Sequence, residues 1–86
     1  MAITVLFEFP NDSIDKYDQA LAENPSLRDQ PERSHHICYR TGSGWGVIDV
    51  WESEEAFGKF GELLGPTLQK LELRADPKIF PVHNTM

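Results

Sequence analysis

SHHICYRTGSGWGVIDVWESEEAFGKF, residues 34–60, decides the fold. Ser34–Arg40 and Trp45–Trp51 are rich in β-branched and aromatic residues. They flank Thr41-Gly42-Ser43-Gly44, a glycine-rich hairpin turn. After Glu52 a helix is predicted from Ser53, a cap residue, with Glu54 and Glu55 in the first turn where the helix dipole favours anions. Phe57, Phe60, Leu64, Leu68 and Leu71 continue at helical spacing and make one apolar stripe. Gly65-Pro66 interrupts the stripe and predicts a kink or a restart.

Upstream, residues 2–9, AITVLFEF, read as a strand that Pro10 ends. Ile3, Val5, Phe7 and Phe9 share one face, and Thr4, Leu6 and Glu8 the other. Both faces are partly apolar, which points to a central strand. Asn11-Asp12-Ser13 signals a helix start, Ile14, Tyr17 and Leu21 recur at helical spacing, and Pro25 closes the helix near Asn24. Residues 25–33, PSLRDQPER, read as a loop long enough to act as a lid. Downstream, Asp76-Pro77 marks a turn. Residues 78–83, KIFPVH, make a last strand that Pro81 demotes to an edge.

The order β-α-β-β-α-β fits an α+β, ferredoxin-like arrangement with a four-stranded antiparallel sheet, spatial strand order 4-1-3-2 and both helices on one face. At 86 residues the chain has room for one domain, residues 1–86. The other face of the sheet is left bare. Its candidate residues include Leu6, Trp45, Val47 and Trp51, too apolar to stay wet, so a homodimer that buries them is expected.

The formal net charge of −6, with no Lys/Arg run, argues against a nucleic-acid partner. MAITVLFEF has no basic flank and only a short apolar run, so neither a signal peptide nor a membrane span is expected there. The single cysteine, Cys38, excludes an internal disulfide framework and a cysteine zinc cluster. A reducing, cytoplasmic setting is the expectation.

Residues 44–60, GWGVIDVWESEEAFGKF, resemble the third strand and second helix of the dimeric α+β barrel superfamily, particularly its antibiotic-biosynthesis-monooxygenase-like members. The resemblance implies a dimeric barrel and a range of activities: cofactor-free oxygenases, haem-degrading oxygenases, isomerases and polyketide cyclases. It also implies that haem-degrading members carry a histidine iron ligand on the second helix. Here that helix has no histidine, Phe60 stands where it would be sought, and AITVLFEF lacks their β1 asparagine. Haem degradation is therefore disfavoured, and no cofactor is expected.

The hairpin selects the candidate site. A four-residue loop sets Arg40 opposite Trp45 and His36 opposite Asp49, whereas a three-residue loop sets His35 opposite Trp51. The first gives an inward set of His36, Cys38, Trp45, Val47, Asp49 and Trp51. An aspartate directly across from a histidine fixes its tautomer and raises its basicity, as a general base requires. The competing assignment is a structural hydrogen bond between two strands. Glu8 would approach Asp49 or His36 if β1 lies beside β3, or else be an exposed strand-end residue. His83 would line a cavity mouth or sit on the surface. Three histidines with Asp and Glu invite a metal reading, but no HxH or HExxH pattern supports one. Cys38 reads as a small buried hydrophobe, and Trp45 and Trp51 as core residues able to stack a planar ligand.

Two functions follow. The first is a small cofactor-independent enzyme acting on an aromatic or polyketide-like molecule by acid–base chemistry, of monooxygenase, cyclase or isomerase type. His36, Asp49 and Glu8 would be catalytic, with Trp51, Trp45, Cys38, His83 and Leu6 lining the substrate. The second is a non-catalytic dimeric small-molecule-binding or accessory protein.

Overall fold

The computed structural model describes all residues 1–86. The elements run β1 (Ile3–Phe9), α1 (Asp15–Glu23), a 3-10 helix (Pro25–Arg28), β2 (Arg33–Arg40), β3 (Trp45–Trp51), α2 (Glu54–Lys70) and β4 (Lys78–Pro81). The strands form one antiparallel sheet in the order β2-β3-β1-β4, the expected 4-1-3-2 arrangement read from the other edge. Both helices cover one face, where Ile3, Val5, Phe7 and Phe9 of β1 meet Ala20, Ala56 and Phe60.

Local chemistry accounts for the element ends. Ser13 Oγ accepts from the Asp15 N–H at 3.2 Å in a turn just ahead of α1, whose N-cap residue is Ile14 and carries no side-chain cap, one residue later than the Asn11-Asp12-Ser13 signal. Ser53 Oγ accepts from the Ala56 N–H at 3.1 Å and caps α2. The hairpin turn docks on the end of β1, with Ser43 Oγ donating to the Pro10 carbonyl at 2.7 Å. Gly46 carries no side chain because the Tyr39 ring lies across it.

Three expectations need correction. Helix α2 runs through Pro66 without restarting. Proline removes one N–H from the ladder, but Pro66 and Glu62, whose carbonyl loses its donor, are both on the solvent side, where water satisfies the freed group. Residues 25–33 are not a free loop: the 3-10 helix buries Leu27, and Arg33 Nη2 donates to the Leu27 carbonyl at 3.0 Å. Finally, Trp45, Val47 and Trp51 do not lie on the bare face. They pair with Phe9, Phe7 and Ile3 and so face the helices, fully buried. Leu6 alone of the four proposed residues is on the outer face, opposite Ile48. Strand alternation fixes which residues share a face. In WGVIDVW both sets are apolar, so the pattern does not say which set the helices cover.

Candidate functional site

The four-residue turn sets the register, and the register builds the site. Arg40 pairs with Trp45 and His36 with Asp49, which turns His36 towards the helices and His35 outwards. His36 Nδ1 lies 2.5 Å from Asp49 Oδ1. Asp49 is buried at 1% exposure, while the His36 side chain keeps 27%. The carboxylate is thus sealed beneath an imidazole that still reaches ligand or solvent.

The other ring nitrogen has a partner from α1. Tyr17 Oη is 2.7 Å from His36 Nε2, with the two rings inclined by only 13°. An ionised Asp49 can only accept, so the hydrogen-bond network assigns the proton to Nδ1 and leaves Nε2 to accept from the Tyr17 O–H. The Tyr17 pKa is raised from 10.0, first by burial and then by the Cys38 and Asp49 charges, against the pull of Arg33 and Arg28. Tyr17 therefore keeps its proton at neutral pH and acts as a donor. Its ring meets the edge of Trp45 at 5.6 Å, and Trp45 stacks on Phe9 at 4.3 Å.

These groups stand in the wall of an apolar cavity of about 60 Å³ between sheet and helices. Phe7, Phe9 and Val47 line it from the sheet, and Leu21, Leu64 and Leu68 from the helices. Its polar members are Tyr17, Arg33, His36 and Asp49. Such a volume holds a few waters, since one needs only about 10–15 Å³. Ligand pockets run to about 300 Å³ or more, so an aromatic ligand enters only if the cover moves. The thinnest cover is α1 with its 3-10 extension, which buries only Ala20 and Leu27 and is tied to α2 by a Lys70–Glu23 ion pair at 2.6 Å.

The remaining candidates disperse. Glu8 lies opposite Gly46 on the outer face and reaches Lys78 at 3.4 Å, so it does not approach His36 or Asp49. Register is the cause: β1 is beside β3 as expected, but Glu8 has the wrong parity. Leu6 shares that outer face. His83 is exposed beyond β4. Cys38 is half-buried on the inner face, and burial, then Asp18, pushes its thiol pKa up from 9.0, which keeps it protonated and unreactive. Trp51 lines a separate cleft of about 190 Å³ with Gln30, Lys59 and Phe60. Both indole N–H groups are buried without a protein acceptor. No group of three or more His, Cys, Asp and Glu side chains comes together to hold a metal ion. Two groups that the sequence pattern does not single out join the site: Tyr17, which has the spacing of a core position of α1, and Arg33.

The raised Tyr17 and Cys38 values carry a stability consequence. The unfolded chain releases these protons at lower pH than the folded one, so folding is favoured below pH 9 and weakened as pH rises through 9 and 10. Urea unfolding followed from pH 8 to 11 is expected to show a falling midpoint, and the Tyr17→Phe/Cys38→Ala double variant a flatter one. An unchanged slope in the double variant would refute the assignment.

Fold and site together define a small α+β protein with a histidine–aspartate pair in an apolar cavity. Solved structures share this fold across nearly the whole chain. A variant of SnoaB, a cofactor-independent oxygenase from Streptomyces nogalater, superposes with a TM-score of 0.67 at 17% identity, covering 99% of this chain and 94% of that one. A Deinococcus radiodurans protein with a provisional description as an antibiotic biosynthesis monooxygenase gives 0.63 at 11% identity, covering 100% and 96%. The ActVA-Orf6 monooxygenase of Streptomyces coelicolor, in complex with nanaomycin D, gives 0.57 at 18%, covering 99% and 89%. No family model and no curated protein matches the sequence. The fold is that of the antibiotic-biosynthesis-monooxygenase-like proteins, as residues 44–60 implied. No helix is long and apolar enough to cross a membrane.

Proposed function

We propose that the protein is a cofactor-independent enzyme that moves protons on an aromatic or polyketide-like small molecule. The observation that carries this reading is His36 held between the buried Asp49 carboxylate and the Tyr17 hydroxyl in the wall of an apolar cavity. Asp49 holds Nδ1–H and compensates the imidazolium; Tyr17 turns its one O–H from Nε2 to a substrate oxygen, which frees Nε2 to take a proton from an activated C–H or O–H. The fold shared with a cofactor-independent oxygenase and with monooxygenases supports this general kind of chemistry. In the oxygenase form, an activated methylene and O₂ give a carbonyl and water, with the deprotonated substrate as the reductant.

The test uses dithranol, a phenolic anthrone. Oxygen uptake and quinone absorbance are followed in air without added cofactor, and deuterium exchange at the methylene under nitrogen. Quinone formation above the protein-free rate supports the oxygenase form, and exchange alone the cyclase or isomerase form. Binding seen by tryptophan quenching, with neither reaction, leaves the non-catalytic ligand-binding reading.

We further propose that a second copy covers the outer sheet face. Ile37 is 55% and Phe80 51% exposed there, beside Leu6, Ile48 and Val50. Such a contiguous apolar face marks an interaction surface. Native mass spectrometry is expected to show a dimer for the wild type and a monomer for Ile37→Lys. A wild-type monomer at micromolar concentration would end the proposal.

A further inference from the structure

Arg33 enters the cavity through an irregularity that strand alternation does not anticipate. Counting back from the His36–Asp49 rung, an unbroken ladder would set Ser34 opposite Trp51 and turn Arg33 outwards. The register instead shifts between Arg33 and His35, and Arg33 takes the place opposite Trp51. Ser34 is the extra residue. Its Oγ donates to the Val50 carbonyl at 3.3 Å and lies 3.0 Å from His35 Nδ1. A one-residue bulge re-aims a side chain. Here it brings Arg33 onto the wall shared by Tyr17, His36 and Asp49, diagonally across the ladder from Asp49 and so about 7–8 Å away along the backbone.

The guanidinium is held but not neutralised. Nη2 donates to the Leu27 carbonyl at 3.0 Å and the Arg28 carbonyl at 3.3 Å. The group lies 5.7 Å from the Trp51 ring centre and 5.6 Å from that of Phe60. It joins none of the salt bridges, in a chain with 14 Asp and Glu against 8 Lys and Arg. The one carboxylate in the cavity, Asp49, is engaged by His36. Guanidinium has five N–H donors in a planar fork. Those on Nε and Nη1 have no protein acceptor. The Arg33 charge is also among those that pull the Tyr17 pKa down across the cavity. A half-buried cation with free donors in an apolar wall is answered best by an anion.

We infer that Arg33 is the anion-binding residue of this cavity, and that its ligand is an aromatic molecule with an ionisable oxygen, a phenol or enol bound as its oxyanion. The inference rests on the proposed reading of the cavity as a substrate site. The O–H bond breaks heterolytically, its proton passes to His36 Nε2, and the electron pair stays on the oxygen facing the guanidinium.

The experiment compares 4-nitrophenol with its methyl ether, 4-nitroanisole, by absorbance and equilibrium dialysis. Wild-type protein is expected to bind the phenolate about tenfold more tightly than the ether and to shift the bound phenol's titration about one pH unit lower. Arg33→Met is expected to abolish both effects while binding the ether as wild type does. Arg33→Lys, which keeps the charge, is expected to retain most of the preference. Equal wild-type affinity for phenolate and ether overturns the inference. So does an equal loss of both ligands in Arg33→Met, which would make Arg33 only a pin for the Leu27–Arg28 segment. If Arg33→Met does not fold, loss of the preference in a folded Arg33→Lys also overturns it. Binding needs no turnover. A phenolate preference without dithranol chemistry would therefore sink the enzymatic reading alone, and turnover without the preference would sink the inference alone.

Discussion

Asp49→Asn is expected to lower kcat/KM on dithranol by at least about a hundredfold while the protein stays folded, the scale on which positioned acid–base groups contribute. Asp49 is sealed, and only His36 Nδ1 hydrogen-bonds its carboxylate, at 2.5 Å. Asparagine fills the same space but removes the charge. If its amide nitrogen faces Nδ1, the tautomer inverts, Nε2 carries the proton, and the atom meant to accept a proton becomes a donor towards Tyr17. If its carbonyl faces Nδ1, the tautomer survives, yet the imidazolium formed on proton transfer has no counter-charge. Either way proton transfer to Nε2 is disfavoured. Nitrogen NMR of the His36 ring separates the two cases, and an unchanged melting temperature excludes a merely structural loss. Turnover within a few-fold of wild type would show that the His36–Asp49 contact only ties two strands together.

How much of this was legible depends on how far each contact reaches along the chain. The His36–Asp49 rung follows from counting across a short hairpin once the loop length is known, but spacing alone leaves His35 and His36 both open, and the observed four-residue turn decides for His36. Tyr17 lies 19 residues from His36. Nothing in the α1 pattern separates a core tyrosine from one that reaches an edge strand. Arg33 is hidden by the Ser34 bulge, because alternation assigns it to the wrong face and a bulge has no composition of its own here. Glu8 fails for the opposite reason. Its strand neighbour was correctly inferred, but proximity of strands does not make proximity of side chains when parity differs. The continuity of α2 through Pro66 depends on a carbonyl that happens to face water, a property of the packed helix.

Gly44→Ala is expected to destabilise the protein by about 1–3 kcal/mol, the usual cost of forcing atoms into a filled space. Gly42→Ala, in the same turn, is expected to cost far less. A side chain at Gly44 would run into backbone, the Phe9 and Pro10 carbonyl groups, which cannot rotate away as a side-chain tip can. Gly42 has nothing within 4 Å of where its side chain would begin. The turn must therefore lift from the end of β1, stretching the Ser43–Pro10 hydrogen bond and the Phe9–Trp45 stack. Trp45 carries the disturbance to Tyr17, whose ring it supports, and Tyr17 carries it to His36 Nε2. The His36–Asp49 rung, four residues along the ladder from Trp45, should hold. Urea unfolding and dithranol kinetics of both variants test this chain. A lower unfolding midpoint with partial loss of turnover for Gly44→Ala, and neither for Gly42→Ala, places the control of the site in the seating of the turn. Equal behaviour of the two would mean that the turn sets the strand count and nothing more.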